Sequence, residues 1–278
     1  MAICFPGRRL LLLLAFCLLP ALAQAQAQMQ RPAGTGPLAA AGMPGGNPAR
    51  LDIVQGGGSA AGLRIRLAPG WKFYWRTPGE GGVPPRFDWS GSRNLTDVAV
   101  AWPAPQRIGM GDTDLYGYID EVILPLRFER RQPAQDAILA LGIEYGICKD
   151  ICILREESLS LRLDGAGTAE AAALGRLAAW QAKVPQPAAQ AGITLVAHRQ
   201  RAGQIEIVLA GRQPFRAPDL LVEGAPEAWF GRPQVTLSED RRTASFLLPV
   251  RPASAAAGPL VLTLIDGDRA AELTVPKS

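Results

Sequence analysis

Two thiols stand four positions apart in Cys148-Lys149-Asp150-Ile151-Cys152. A pair this close can oxidise and exchange its disulfide, act as soft ligands for a cuprous ion, or staple a turn. Structural zinc is excluded, because two thiols and the lone His198, about fifty residues on, do not make a ligand set. As a staple the pair is poorly placed. Closing a ring of about five residues contributes about 2 kcal/mol in the chain-entropy picture, against about 4.7 for a loop of 100. A short ring in a twisted hairpin is also exposed and reducible, which favours exchange chemistry. Lys149 favours a thiolate and Asp150 opposes it, and the sequence leaves that balance open.

The elements around the pair read as strands. The alternating run 137–145 and the run 151–163 flank it, so the three residues between form a hairpin turn or bulged bend. The cysteines then become cross-strand neighbours, with Cα atoms roughly 4.5 to 5.5 Å apart, inside the roughly 4.4 to 6.8 Å that a disulfide needs. Further runs at 51–55, 62–67, 71–76, 96–102 and 121–128, separated by clusters such as Pro78-Gly79-Glu80-Gly81-Gly82 and Pro84-Pro85, complete a sandwich over 51–165. One helix is expected at Thr168–Lys183, capped by Thr168, with Leu174, Leu177 and Trp180 on one face and Pro185 ending it, within a linker over 166–189. A second strand series, at 193–198, 204–209, 218–222, 234–238, 244–250, 259–265 and 270–275, makes a second sandwich over 190–278. The fold class is all-β: two tandem sandwiches joined by a short helical linker.

Compartment follows from the other end of the chain. Arg8 and Arg9, the apolar run Leu10 to Leu19 and the small residues at 21–25 read as a secretory leader over 1–25. The apolar run is about half the length of a spanning helix, so cleavage should leave a soluble protein. Cys4 and Cys17 depart with the leader, and Cys148 and Cys152 are the cysteines of the mature chain. Residues 26–50, rich in Gln, Ala, Gly and Pro, read as a flexible arm. The formal charge of +4 falls to +2 without Arg8 and Arg9, which speaks against nucleic acid as a partner. With 48% hydrophobic and 19% charged residues the chain is neither disordered nor a polyelectrolyte.

Other residue types have ordinary readings. Trp71, Phe73 and Trp75 alternate and should line a sandwich core, with Trp89 and Trp102 packing nearby. His198 lacks a recognisable nucleophile partner and is structural. Trp229-Phe230 is either a core corner or a small contact patch. Asp112/Asp114 and Asp120/Glu121 read as solvated turn residues, and Gly56-Gly57-Gly58 as a turn, so no nucleotide or other cofactor is implied.

Three ordered segments together, Gly70-Trp71-Lys72-Phe73-Tyr74-Trp75-Arg76-Thr77-Pro78-Gly79, Pro84-Pro85-Arg86-Phe87-Asp88-Trp89 and Tyr145-Gly146-Ile147-Cys148-Lys149-Asp150-Ile151-Cys152, resemble the N-terminal periplasmic domain of the thiol:disulfide interchange protein DsbD, in its ScsB-like branch. The resemblance covers about 51–165 well and the second sandwich loosely. It implies immunoglobulin-like sandwiches, periplasmic location and a cysteine pair that relays electrons to periplasmic thioredoxin-fold clients. It places mixed-disulfide formation on Cys152 and resolution on Cys148. It also implies a cap loop over the pair, matched by Asp112, Asp114, Leu115 and Tyr116, with Tyr118 close by. Leu115 stands where the family commonly has an aromatic, and Leu154 near where it often has a proline. No membrane conduit or thioredoxin-like domain follows the second sandwich, so the expected donor is a separately encoded membrane thiol reductase or else another periplasmic thiol protein. Two other classes remain beside the exchange protein: a Cu(I)-binding or copper-tolerance protein, and a non-redox scaffolding module.

Overall fold

The computed structural model describes residues 46–56, 60–110, 113–163, 171–201, 203–254 and 258–276. The expected leader, most of the arm, Asp112 and Thr168 lie outside these residues. Ten strands come first: β1 (Ala49–Gln55), β2 (Ala61–Leu67), β3 (Lys72–Gly79), β4 (Arg86–Asp88), β5 (Leu95–Val100), β6 (Gln106–Met110), β7 (Thr113–Ile119), β8 (Glu121–Arg130), β9 (Ala137–Cys148) and β10 (Cys152–Leu163). They form a sheet β1-β2-β8-β5 and a sheet β10-β9-β3-β7-β6, with β4 beside β9. After α1 (Ala171–Gln181) come β11 (Gln186–Pro187), β12 (Ile193–Arg201), β13 (Gln204–Gly211), β14 (Pro218–Glu223), β15 (Trp229–Phe230), β16 (Gln234–Leu237), β17 (Thr243–Arg251), β18 (Leu260–Asp266) and β19 (Arg269–Val275). Their sheets run β11-β19-β18-β14 and β12-β13-β17-β15, with β16 on β17. The fold is therefore all-β, two tandem sandwiches with one helix among the described residues. No helix among them is long and apolar enough to cross a membrane.

Alternation builds both cores. In the first, Leu63 and Ile65 of β2, Phe73 and Trp75 of β3, Val122 and Leu124 of β8, and Leu141, Ile143, Tyr145 and Ile147 of β9 meet between the sheets. Trp71, Trp89 and Trp102 pack against that core half-buried, and Phe87 stacks on Trp89 with centroids 5.9 Å apart. In the second, Ile205, Ile207 and Leu209 of β13, with their cross-strand neighbours Phe246 and Leu248 of β17, meet Leu262 and Leu264 of β18 in the other sheet.

The departures are local. Strands β4, β6 and β7 were not expected, and the stretch taken as a cap loop is largely β7, hydrogen-bonded to β6 and β3. Helix α1 buries Ala173 and Leu177 while Leu174 is exposed. The buried face thus follows the 3.6-residue period rather than a three-residue one. It docks on the first sandwich: a Cβ at Gly62 would come within 2.8 Å of Leu177 Cδ1.

The sandwiches also touch directly. Asp219, Leu221 and Glu223 alternate on β14 and face the first sandwich, where Leu221 is buried among its core residues. Arg76 of β3 pairs with Glu223 and Glu272, and Thr77 donates to Glu223 at 2.6 Å.

Candidate functional site

Strand β10 lies at the sheet edge and pairs with β9 along its whole length, Cys152 opposite Cys148. The two cysteines close the hairpin as a disulfide with Cα atoms 4.2 Å apart. They differ sharply in environment: Cys148 is 1% exposed, whereas Cys152 and the turn residues Lys149, Asp150 and Ile151 are exposed. The turn is held by the Lys149 N–H donating to the Ile151 carbonyl at 3.1 Å, and the Lys149 stem lies along Gly70.

The outward face of this sheet explains the asymmetry. Along β9 the outward positions are half-buried or exposed as far as Glu144, but Gly146 and Cys148 are buried. What covers them is Tyr74, the off-face neighbour of Phe73 and Trp75 on β3, itself 1% exposed. Its ring occupies a slot between two glycines. A Cβ at Gly82 would lie 2.9 Å from Tyr74 Cδ1, and one at Gly146 would lie 3.4 Å from Cε2 and 2.9 Å from Val83 Cβ. From that slot the Tyr74 hydroxyl reaches Cys152 Sγ at 3.4 Å. A disulfide sulfur carries no hydrogen, so the hydroxyl is the donor. Burial raises the Tyr74 pKa above its ordinary value, which keeps that donor protonated through neutral pH.

The cap residues separate into two faces of β7. Leu115, 4% exposed, packs against Tyr74 and Cys148, with Ile108 of β6 beside it. Tyr116 and Tyr118 point the other way, into the first core; Tyr118 stacks on Phe73 and donates to the Pro103 carbonyl at 2.7 Å. Asp114 does not face the cysteines. It accepts from Arg107 at 3.0 Å and from Arg232 at 2.9 Å, and the Arg232 hydrogen bond, above all, holds its carboxyl below the usual range. Asp112 is outside the described residues.

Among the described residues no cluster of His, Cys, Asp or Glu is arranged to hold a metal. His198 sits half-buried on β12 with Nε2 unpaired, and burial lowers its pKa. Phe230 belongs to the second core, whereas Trp229 lines a cleft shared with Gly79, Asp114 and Arg232, under the Arg251 guanidinium. The residues missed from sequence are Tyr74, Gly82 and Gly146, and the partners of Asp114. An aromatic on the nominally polar face of a strand, with a glycine two residues before the first cysteine, was the available signal.

Arranged so, the site can do sulfur exchange: an accessible sulfur with a hydroxyl donor on it, and a shielded sulfur one bond behind. Residues 42–164 match the family described as thiol:disulfide interchange protein DsbD, N-terminal, and residues 183–278 match a domain family of unknown function. No curated protein matches the chain. Among solved structures, the N-terminal periplasmic domain of ScsB from Proteus mirabilis is similar at 26% identity, covering 85% of this chain and 97% of its own, with a TM-score of 0.65. The N-terminal domain of Neisseria meningitidis DsbD in the reduced form, at 12% identity, 42% and 86% coverage and a TM-score of 0.28, is too distant to carry an argument. With its cysteine hairpin inside the matched segment and its two sandwiches spanning nearly all of the ScsB domain, the chain carries a DsbD N-terminal domain of the ScsB-like kind.

Proposed function

We propose that the protein is a periplasmic protein-disulfide reductase that works by thiol–disulfide exchange, with the redox pair in a sandwich over 51–165, a helical connection over 166–189 and a second sandwich over 190–278. In its reduced form the Cys152 thiolate attacks a disulfide sulfur of a thioredoxin-fold client, forming a mixed disulfide and expelling one client thiolate. The Cys148 thiolate then attacks Cys152 Sγ, closing the internal disulfide and releasing the second client thiolate. Two electrons pass to the client, whose thiolates take up two protons. A membrane thiol reductase restores the dithiol by the reverse exchange.

The observation that carries this reading is the unequal exposure of the two sulfurs, Cys148 at 1% and Cys152 open beside the Tyr74 hydroxyl. A staple needs no such division; exchange needs one sulfur to meet the client and another to wait. Exposed Ile151 (56%) and Leu154 (69%) flank Cys152, an apolar margin suited to a client's own active-site surface. Leu115 acts as the cap, and Asp114 and Tyr116 hold the strand that carries it.

Cysteine trapping tests the assignment. Incubated with an oxidised thioredoxin-fold protein, the reduced Cys148→Ser variant should accumulate a mixed disulfide on non-reducing gels, and Cys152→Ser should form none. The opposite pattern reverses the roles, and no adduct with either variant favours the scaffold reading.

A further inference from the structure

Strand β7 places Leu115 against Cys148 and Tyr74, and the residue before it, Asp114, is held from outside the first sandwich. Arg232, between β15 and β16, grips Asp114 with Nε and Nη2 on the two carboxylate oxygens. On the other side, Arg107 of β6 spends its donors on Asp219 (2.8 Å twice), Asp114 (3.0 Å), the Tyr116 hydroxyl (3.0 Å) and the Leu220 carbonyl (3.3 Å). Asp219 and Leu220 lie on β14, so both charged ends of this chain of contacts, Arg232 and Asp219, belong to the second sandwich. The backbone beside Asp114 is tight as well: a Cβ at Gly79 would come within 2.4 Å of the Asp114 carbonyl oxygen, and the Glu80 N–H donates to that oxygen at 3.3 Å. Leu115 therefore has little freedom to lift while Asp114 is held.

We propose that the second sandwich acts as a clamp on the cap: through Arg232–Asp114–Arg107–Asp219 it holds the β6–β7 hairpin, and with it Leu115, over Cys148, the shielded sulfur that must leave as a thiolate when the exposed Cys152 is attacked. Arg232 and Asp219 are positioning residues that govern how readily Cys148 is released from a disulfide they do not touch. This rests on the exchange reading above for its purpose, but its geometry stands without a client. A charge network held by one exposed arginine and one half-buried one is open to control by whatever competes for Arg232. The Arg232 side chain is 63% exposed and that of Arg107 10%.

The test uses the oxidised mature chain and a small dithiol, dithiothreitol, whose thiolate attacks the protein disulfide and whose second thiol closes a ring to release the protein dithiol. Reduction is followed by alkylation and mass. Arg232→Met and Asp219→Asn should each be reduced about threefold faster than the unaltered protein at low salt, the scale expected for loosening a partly exposed ion pair. Leu115→Ala should be faster still, and adding Arg232→Met to it should bring no further gain, because both act through the same cap. In about 1 M salt the ratio of the Arg232→Met rate to that of the unaltered protein should fall toward one, since screening releases the clamp in both. A merely structural arginine would leave that ratio unmoved. Equal rates at low salt, a salt-independent ratio, or effects that multiply with Leu115→Ala overturn the clamp. If the ratios hold but no electrons reach a thioredoxin-fold disulfide, the exchange reading falls and the clamp stands.

Discussion

Hairpins β9–β10 and β18–β19 have the same antiparallel plan and finish in opposite ways. The second closes with Asp266 opposite Arg269 across a turn at Gly267, whose φ is +65°. Asp266 is 2% exposed and accepts from the Arg216 and Ala217 backbone N–H groups at 2.9 and 2.8 Å and from Arg269. Arg269 goes on to Gln213 and the Pro214 carbonyl. Asp266 and Arg269 are both committed to holding a neighbouring loop. The β9–β10 end instead leaves its turn and one sulfur to solvent and offers a single hydroxyl to that sulfur. A hairpin end that serves the fold satisfies its groups internally, and one that serves chemistry keeps a reactive atom free.

Stability should separate the two ends most strongly. Asp266→Ala leaves two backbone donors and Arg269 without their buried acceptor and should cost about 3 kcal/mol in urea unfolding. Replacing both cysteines by alanine should cost about 2 kcal/mol or less, because so short a ring constrains the unfolded chain little. A larger loss from the cysteines would make the disulfide a staple and erase the contrast. Next in size is Tyr74→Phe, which removes the donor on Cys152 and leaves the packing between Gly82 and Gly146 in place. The thiol pKa of Cys152, read from the pH dependence of alkylation in the Cys148→Ser background, should rise; an unchanged value would reduce Tyr74 to a packing residue.

The smallest effect concerns acid. Asp114 has a folded pKa below its unfolded value, so its contribution is fully present above about pH 4 and is lost as pH falls through the lower, folded value. Amide exchange in β6 and β7, corrected for its intrinsic pH dependence, should therefore accelerate as pH falls below about 4. Asp114→Asn should remove the acceleration.

Much of this was legible from residue patterns. The seven longer strands of the second sandwich were read nearly to their ends, because turn residues bound them, whereas the two-residue strands β11 and β15 are too short to show a period. The cysteine hairpin was legible because the flanking runs and the three-residue gap leave few other geometries. Strands β6 and β7 were not, since Asp114 and Gly109 look like turn residues until Arg107 and Arg232 are seen to neutralise the acid. Tyr74 was hidden by its neighbours: Phe73 and Trp75 announce the core face, and nothing local says that the opposite face is covered too. The contacts of Asp114 with the second sandwich span more than a hundred residues of chain and leave no periodic trace.

The reduction potential of the Cys148/Cys152 pair in the mature protein, equilibrated against glutathione buffers and counted as alkylated thiols by mass, bears on the exchange function most directly. A value of roughly −180 to −270 mV is expected, within the range of proteins that pass disulfides to one another. A value below about −300 mV would mark a structural bond and contradict the relay.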